Sequence, residues 1–429
     1  MRRNSKPLTT ARRWLALTLM LFAGLAVQLQ AQSYDTLLKD GHVIDPKNGI
    51  DQVMDVAILD GRIARVASQI PDNQAEEVID VSGMIVSPGL IDLHGHLFHL
   101  EVTRAVFPDI FTFRNGITTI VDGGTSGWRN FPLFKEQTID NSRTRVLAFL
   151  SIVGVGSSYK NDLGVSQSRI ATQDHYDMNP VLTAMRVEEY PGIIVGVKAQ
   201  HYKGPDYTPE LRAVEAGEIA GVPVMVDFGE HRPMRSLDKL LNEILRPGDM
   251  FSHTFSNTGG RETVVDENRQ VRPFVKEAQD RGILFNVGHG GGSFIWWQVV
   301  AAAEQGFWPD IIDTDTHTSS MNGGMKDMNN LMSKYLTVGM SIPDIISRTT
   351  WIPARSIQRE DLGHLTEGAV ADIAVFSIRE GEFGFIDSRG RVMEGTRKFE
   401  SELTLKDGRV MWDLNGVSAR PWDENNENY

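Results

Sequence analysis

Eight apolar runs of strand length recur between residues 84 and 317, and they constrain the fold more than any other feature: "MIVSPGLIDLHGH", "TTIVDGG", "VLAFLSIVGVG", "IIVGVKAQ", "VPVMVDFG", "DMFSHTFS", "ILFNVGHG" and "DIIDTDTH". They are continuous rather than alternating, the pattern of strands buried on both faces. Helical patterning separates them, as in "TPELRAVEAGEIAG" and "SLDKLLNEILRPG", the second with Ser236 placed to cap its first turn. Strand then helix, eight times over, predicts an α/β chain built on a (β/α)8 TIM barrel, set at 87–354.

Short β-rich runs precede the barrel, with turn-forming pairs at Asp40-Gly41, Asn48-Gly49 and Asp60-Gly61. The same vocabulary returns only near the other end, in "ADIAVFSI" and "LTLKDGRVMWDL". Neither segment is large enough to fold alone. They are expected to pair into one small discontinuous β-sandwich domain, 32–86 plus 355–415, with 416–429 as a solvated tail.

The N-terminus carries Arg2, Arg3, Lys6, Arg12 and Arg13, then "WLALTLMLFAGLAV", then "QLQAQ" with a small residue at Ala31. That order reads as a signal peptide over 1–31, with an uncleaved anchor as the alternative, and "ARRWLAL" faintly resembles a twin-arginine signal. A periplasmic or secreted location follows. Cleavage would remove five positive charges and no acidic ones, taking the formal charge from −13 to −18. So acidic a chain should avoid nucleic acid and, once cleaved, stable membrane association, which leaves a small-molecule partner and a possible homo-oligomer. With no cysteine in the chain, disulfides, thiolate metal sites and cysteine nucleophiles are excluded.

The polar residues fall where chemistry would need them. Nearly every inner run ends in an ionisable side chain: His94 and His96, Asp122, Lys198, Asp227, His253, His289, Asp315. In such a barrel all C-terminal strand ends open onto one face, so these groups converge. His94 and His96 are two apart on a strand and point to the same side, where they can share a metal. Lys198 ends a strand without other charge; it is either a carbamate formed with CO2, able to bridge two cations, or a lysine paired with a carboxylate. Asp122 reads as structural, and Met325, Met328 and Met332 as core. Neither Ser126 nor Ser293 sits in a nucleophile elbow, and "GHGGGS" lacks the helix and lysine of a nucleotide loop.

In "GLIDLHGHLFH", "GIIVGVKAQ", "GDMFSHTFSN", "LFNVGHGGGSF" and "DIIDTDTH", taken in order, the chain resembles the amidohydrolase superfamily, in the deacetylase branch of metallo-dependent hydrolases related to dihydroorotases and D-aminoacylases. The resemblance implies two divalent ions, most plausibly zinc. His94 and His96 would hold one, carboxylated Lys198 would bridge, His253 would hold the other, and Asp315 would touch the first and serve as catalytic base. His289 would position the substrate or polarise its carbonyl, with a structural hydrogen bond as its alternative; His317 and His201 are further substrate-contact candidates. The chain departs from the pattern at the fifth strand, where that branch usually has a metal-binding His and this sequence has Asp227. A direct ligand, a carboxylate behind the ligands or paired with an arginine or helix N-terminus, and displacement by His231 are the readings open there. The implied activity is hydrolysis of an amide or ester of a small N-acyl or O-acyl substrate. A cyclic amide or lactone hydrolase and a decayed periplasmic binding protein are the alternatives.

Overall fold

A computed structural model describes residues 33–157, 171–228, 235–257 and 261–422. The signal-like segment 1–31, His231 and the end of the tail lie outside the described residues. The strands in chain order are β1 (Tyr34–Asp45), β2 (Ile50–Leu59), β3 (Arg62–Ala67), β4 (Ala75–Asp80), β5 (Ile85–Pro88), β6 (Leu90–Gly95), β7 (Ile117–Gly127), β8 (Arg145–Ser151), β9 (Ile194–Gln200), β10 (Val224–Asp227), β11 (Met250–Phe251), β12 (Leu284–Phe285), β13 (Ile373–Ile386), β14 (Val392–Lys406) and β15 (Arg409–Asp413). Among the described residues, no helix is long and apolar enough to cross a membrane.

Strands β6 to β12 form one sheet in sequential order, every neighbouring pair parallel. The eighth run closes the ring through two isolated parallel bridges, Asn286 to Ile311 and Gly95 to Thr316. Side chains replace part of the missing ladder there. Asp92 accepts from Thr314 N at 2.9 Å and from its Oγ1 at 2.5 Å, while Asp313 accepts from Gly288 N at 2.6 Å. Backbone groups buried in the seam must be paired by something, and these two carboxylates do it. Burial raises both, Asp92 to about 7 and Asp313 to about 6.

Helices return the chain between strands. The segment Thr208–Ala220 ends at Gly221, whose φ of 68° provides the left-handed residue that stops a helix. Ser236 Oγ accepts from Lys239 N at 3.0 Å as expected of a cap, but the helix then widens into a π turn over Leu240–Ile244. Met325, Met328 and Met332 are fully buried among apolar neighbours.

The second sheet runs β15-β14-β13-β5-β1-β2-β3, with β4 also on β1, so it draws on both chain ends. It folds around Leu38, Val56, Ile63, Val86, Val375 and Leu403. Backbone bonds from Ile63 N to Ala369 O and from Ala371 N to Gly61 O, each 2.9 Å, bring its β3 edge to the chain entering β13. Asn48-Gly49 and Asp60-Gly61 make hairpin turns, whereas Asp40-Gly41 does not: it is a bulge inside β1, where the register with β2 shifts between Leu38 and Gly41. Asp55 holds that bulge by accepting from Asp40 N at 2.9 Å, leaving Asp40 at φ 57°. The long β13–β14 hairpin reaches the barrel, and Asp387 beyond β13 accepts from Trp296 N at 3.2 Å.

Candidate metal centre and active site

His94 lies in the last turns of β6, His96 just beyond it, and Asp315 in the run that closes the barrel beside it. Asp315 Oδ1 is 3.0 Å from His96 Nε2 and 3.6 Å from His94 Nε2. These three form the one group among the described residues whose donor atoms all lie within 4.8 Å, the arrangement of groups that share an ion. Asp315 Oδ1 is buried yet makes no aligned hydrogen bond, so it is a donor atom without a partner. On His94, Nδ1 is occupied by Ser252 Oγ at 3.1 Å, and Nε2 is the nitrogen facing Asp315. The ring has space only because residue 123 is glycine: a Cβ there would lie 2.5 Å from His94 Cδ2. Burial alone would raise the Asp315 carboxyl, but His94, His96 and His253 hold it far below the usual carboxylate range.

Lys198, on β9, is buried with Nζ 3.2 Å from His94 Nε2 and 3.0 Å from Met225 Sδ. Among the described residues no carboxylate is ion-paired with it. Burial lowers its pKa against the opposing pull of Asp227 and Asp315.

Asp227 closes β10 inside a web of nitrogens. Its Oδ1 accepts from Arg261 Nη2 at 2.8 Å, and its Oδ2 lies 3.1 Å from His253 Nε2 and 3.1 Å from His201 Nδ1. The arginine pairing is thus the contact observed at Asp227. His253 donates Nδ1–H to Gly288 O at 2.6 Å, and its ring stands 5.2 Å from that of His94, so this web adjoins the three-residue centre. Among the described residues, His201, His253 and Asp315 hold left-handed φ values of 56°, 62° and 51°, a conformation that costs residues with a Cβ and clusters at functional sites.

His289 is fully buried, stacked on Phe294 and engaged at both nitrogens: Nδ1 with Gly290 O at 2.9 Å and Nε2 with Lys334 Nζ at 2.7 Å. The structural hydrogen bonding weighed for it is what the geometry contains, and neither nitrogen is left for a substrate. Lys334 also donates to Gly324 O and Ile386 O, each at 2.7 Å, and burial brings it down to about 7. His317 caps the short helix Thr318–Met321, its Nδ1 accepting from Ser319 N and Ser320 N at 3.2 Å. That commitment turns its Nε2–H outward as a donor, with its ring 6.0 Å from His96. Asp122 accepts from the backbone of Leu97 at 2.9 Å and Thr125 at 2.7 Å and ties two loops together.

The glycines around His289 serve the protein rather than a ligand directly. A Cβ on Gly290, which has φ 48°, would lie 2.0 Å from Asp315 Oδ2. Gly290→Ala should therefore displace the carboxylate by a fraction of an ångström or more and lower kcat/KM by about 100-fold. Steady-state kinetics, with circular dichroism to confirm folding, would check this; unchanged activity would show that the close approach is unimportant.

An amidohydrolase family profile matches residues 299–411. A deacetylase of Agrobacterium fabrum is 32% identical over 348 residues, 81% of this chain and 83% of that protein. The chain belongs to the amidohydrolase superfamily, in its deacetylase branch. Among solved structures, an adenine deaminase superimposes with a TM-score of 0.79 at 27% identity, covering 89% of this chain and all of the other. A dihydroorotase does so with a TM-score of 0.74 at 28% identity, covering 87% of this chain and 98% of the other. This amidohydrolase is a metal-dependent enzyme acting on carbon–nitrogen bonds, and not the decayed binding barrel considered from the sequence.

Arg261, Lys334, Asp92 and Asp313 were not singled out in the sequence. Asp92 did carry a signal, since it precedes His94 by two and shares its strand face. Arg261 carried none.

Proposed function

We propose that this amidohydrolase hydrolyses an open-chain amide of a small N-acyl substrate, with an O-acyl ester as the related possibility, after export to the periplasm or beyond. The convergence of His94, His96 and Asp315, with Asp315 Oδ1 buried and unbonded, carries the reading. The donor set of two imidazoles and a carboxylate fits zinc. A divalent ion held there supplies Lewis-acid activation of water and of the scissile carbonyl. Asp315 takes the proton from the attacking water and delivers it to the leaving nitrogen, both halves of acid–base work by one carboxylate. His317, with Nδ1 committed to the helix, offers Nε2–H to the substrate, and half-exposed His201 lines the approach. Lys198, buried without a carboxylate partner, is the amine that adds to CO2, releasing a proton and leaving a carbamate anion beside His94.

A substrate panel tests the reading. N-acyl amino acids and O-acyl hydroxy acids should be turned over, and cyclic imides and lactones should not. Turnover confined to the cyclic compounds would overturn the open-chain assignment in favour of ring opening. The carbamate has its own readout: enzyme refolded without CO2 should bind less metal and recover on adding bicarbonate, whereas indifference to bicarbonate would remove it.

A further inference from the structure

We propose that Arg261 takes the place of a second metal ion in this chain, so that the active site works with one divalent ion and one fixed guanidinium. The inference rests on the metal-dependent reading above and concerns the departure at the fifth strand. A second ion in a site of this type would need Asp227 as a ligand in the position where relatives of the branch usually carry a histidine. Neither Asp227 oxygen is open. Oδ1 is 2.8 Å from Arg261 Nη2, and Oδ2 is shared at 3.1 Å by His253 Nε2 and His201 Nδ1. The pair is sheltered, with side-chain exposures of 9% for Arg261 and 2% for Asp227, so solvent does little to screen the guanidinium from any cation brought to that carboxylate. A group of three donors suited to an ion is found among the described residues at His94, His96 and Asp315, and Asp227 is not in it.

A second observation bears on what Arg261 does. Its Nη1 is buried and has no hydrogen-bond partner, although a guanidinium out of water normally has its donors satisfied. Aspartate holds one side of the fork and leaves the other side for an incoming group. Next to the ion site, which His253 adjoins through its 5.2 Å ring contact with His94, that group is an electron-rich oxygen of the substrate: the polarised acyl carbonyl or a carboxylate beside the scissile bond. Arginine cannot be deprotonated in this range, so it supplies a permanent positive charge without needing a metal supply.

Metal content separates the possibilities. The wild-type chain, loaded with excess zinc and desalted, should hold about one equivalent by plasma mass spectrometry, and Arg261→Met should rise to about two, because Asp227, His253 and His201 are then released as ligands. Arg261→Lys, which keeps the charge, should stay near one. If Arg261→Met does not fold, the wild type loaded with Mn(II) gives the same answer by electron paramagnetic resonance: an isolated six-line signal is expected, and a spin-coupled pair would overturn the inference. Two equivalents in the wild type, or one equivalent that Arg261→Met leaves unchanged, would also overturn it while leaving the metal-dependent function standing. No bound metal in the wild type would instead sink the function proposed above, and this inference with it.

Discussion

Asp315→Asn should keep its metal and lose turnover by roughly 100-fold to 10,000-fold, the range typical of a positioned general base. Asparagine has the shape of aspartate and retains one oxygen, so the centre formed with His94 and His96 should survive. It cannot accept the proton of the attacking water or return it to a departing amine. At about 1.4 kcal/mol per tenfold, the loss corresponds to about 3–5 kcal/mol of transition-state stabilisation. The effect should fall on kcat, with KM little changed, because the ground-state complex does not use the proton transfer. A variant that retains its metal and full activity would show that another group is the base.

His94→Ala should act at the earlier step of holding the ion. Changing a group that merely supports a metal ligand typically costs 10- to 100-fold in affinity, so removing the ligand itself should cost more than about 100-fold. His94 has no substitute within reach: Nδ1 is held by Ser252, Nε2 faces Asp315, and the ring fills the space opened by Gly123. The variant should therefore purify without metal and without activity. Adding back high zinc should restore little. Stoichiometric metal in this variant would place the ion elsewhere.

The barrel was legible because burying strands on both faces forces continuous apolar runs, and no other common architecture repeats them eight times with helices between. The position of the site was legible for a related reason: charged residues at the ends of such runs serve no packing purpose. His94 and His96, spaced two apart, needed only strand geometry to share a face. What stayed hidden depends on partners distant in sequence. Arg261 meets Asp227 across 34 positions, Lys334 meets His289 across 45, and Asp92 closes the barrel on Thr314 across 222. Nothing local marks such pairs, since each member alone is an ordinary charged residue. Asp40-Gly41 misled for the opposite reason: the pair allows a turn, but Asp55 from the neighbouring strand stabilises a bulge instead.

The central claim is that residues from the first strand and the closing run of the barrel hold one catalytic ion between them. The most direct measurement is anomalous diffraction at the zinc edge from crystals of the zinc-loaded protein. The account predicts a peak bonded to His94 Nε2, His96 Nε2 and an Asp315 oxygen. A peak away from those three atoms, or none in crystals of zinc-loaded protein, would contradict it.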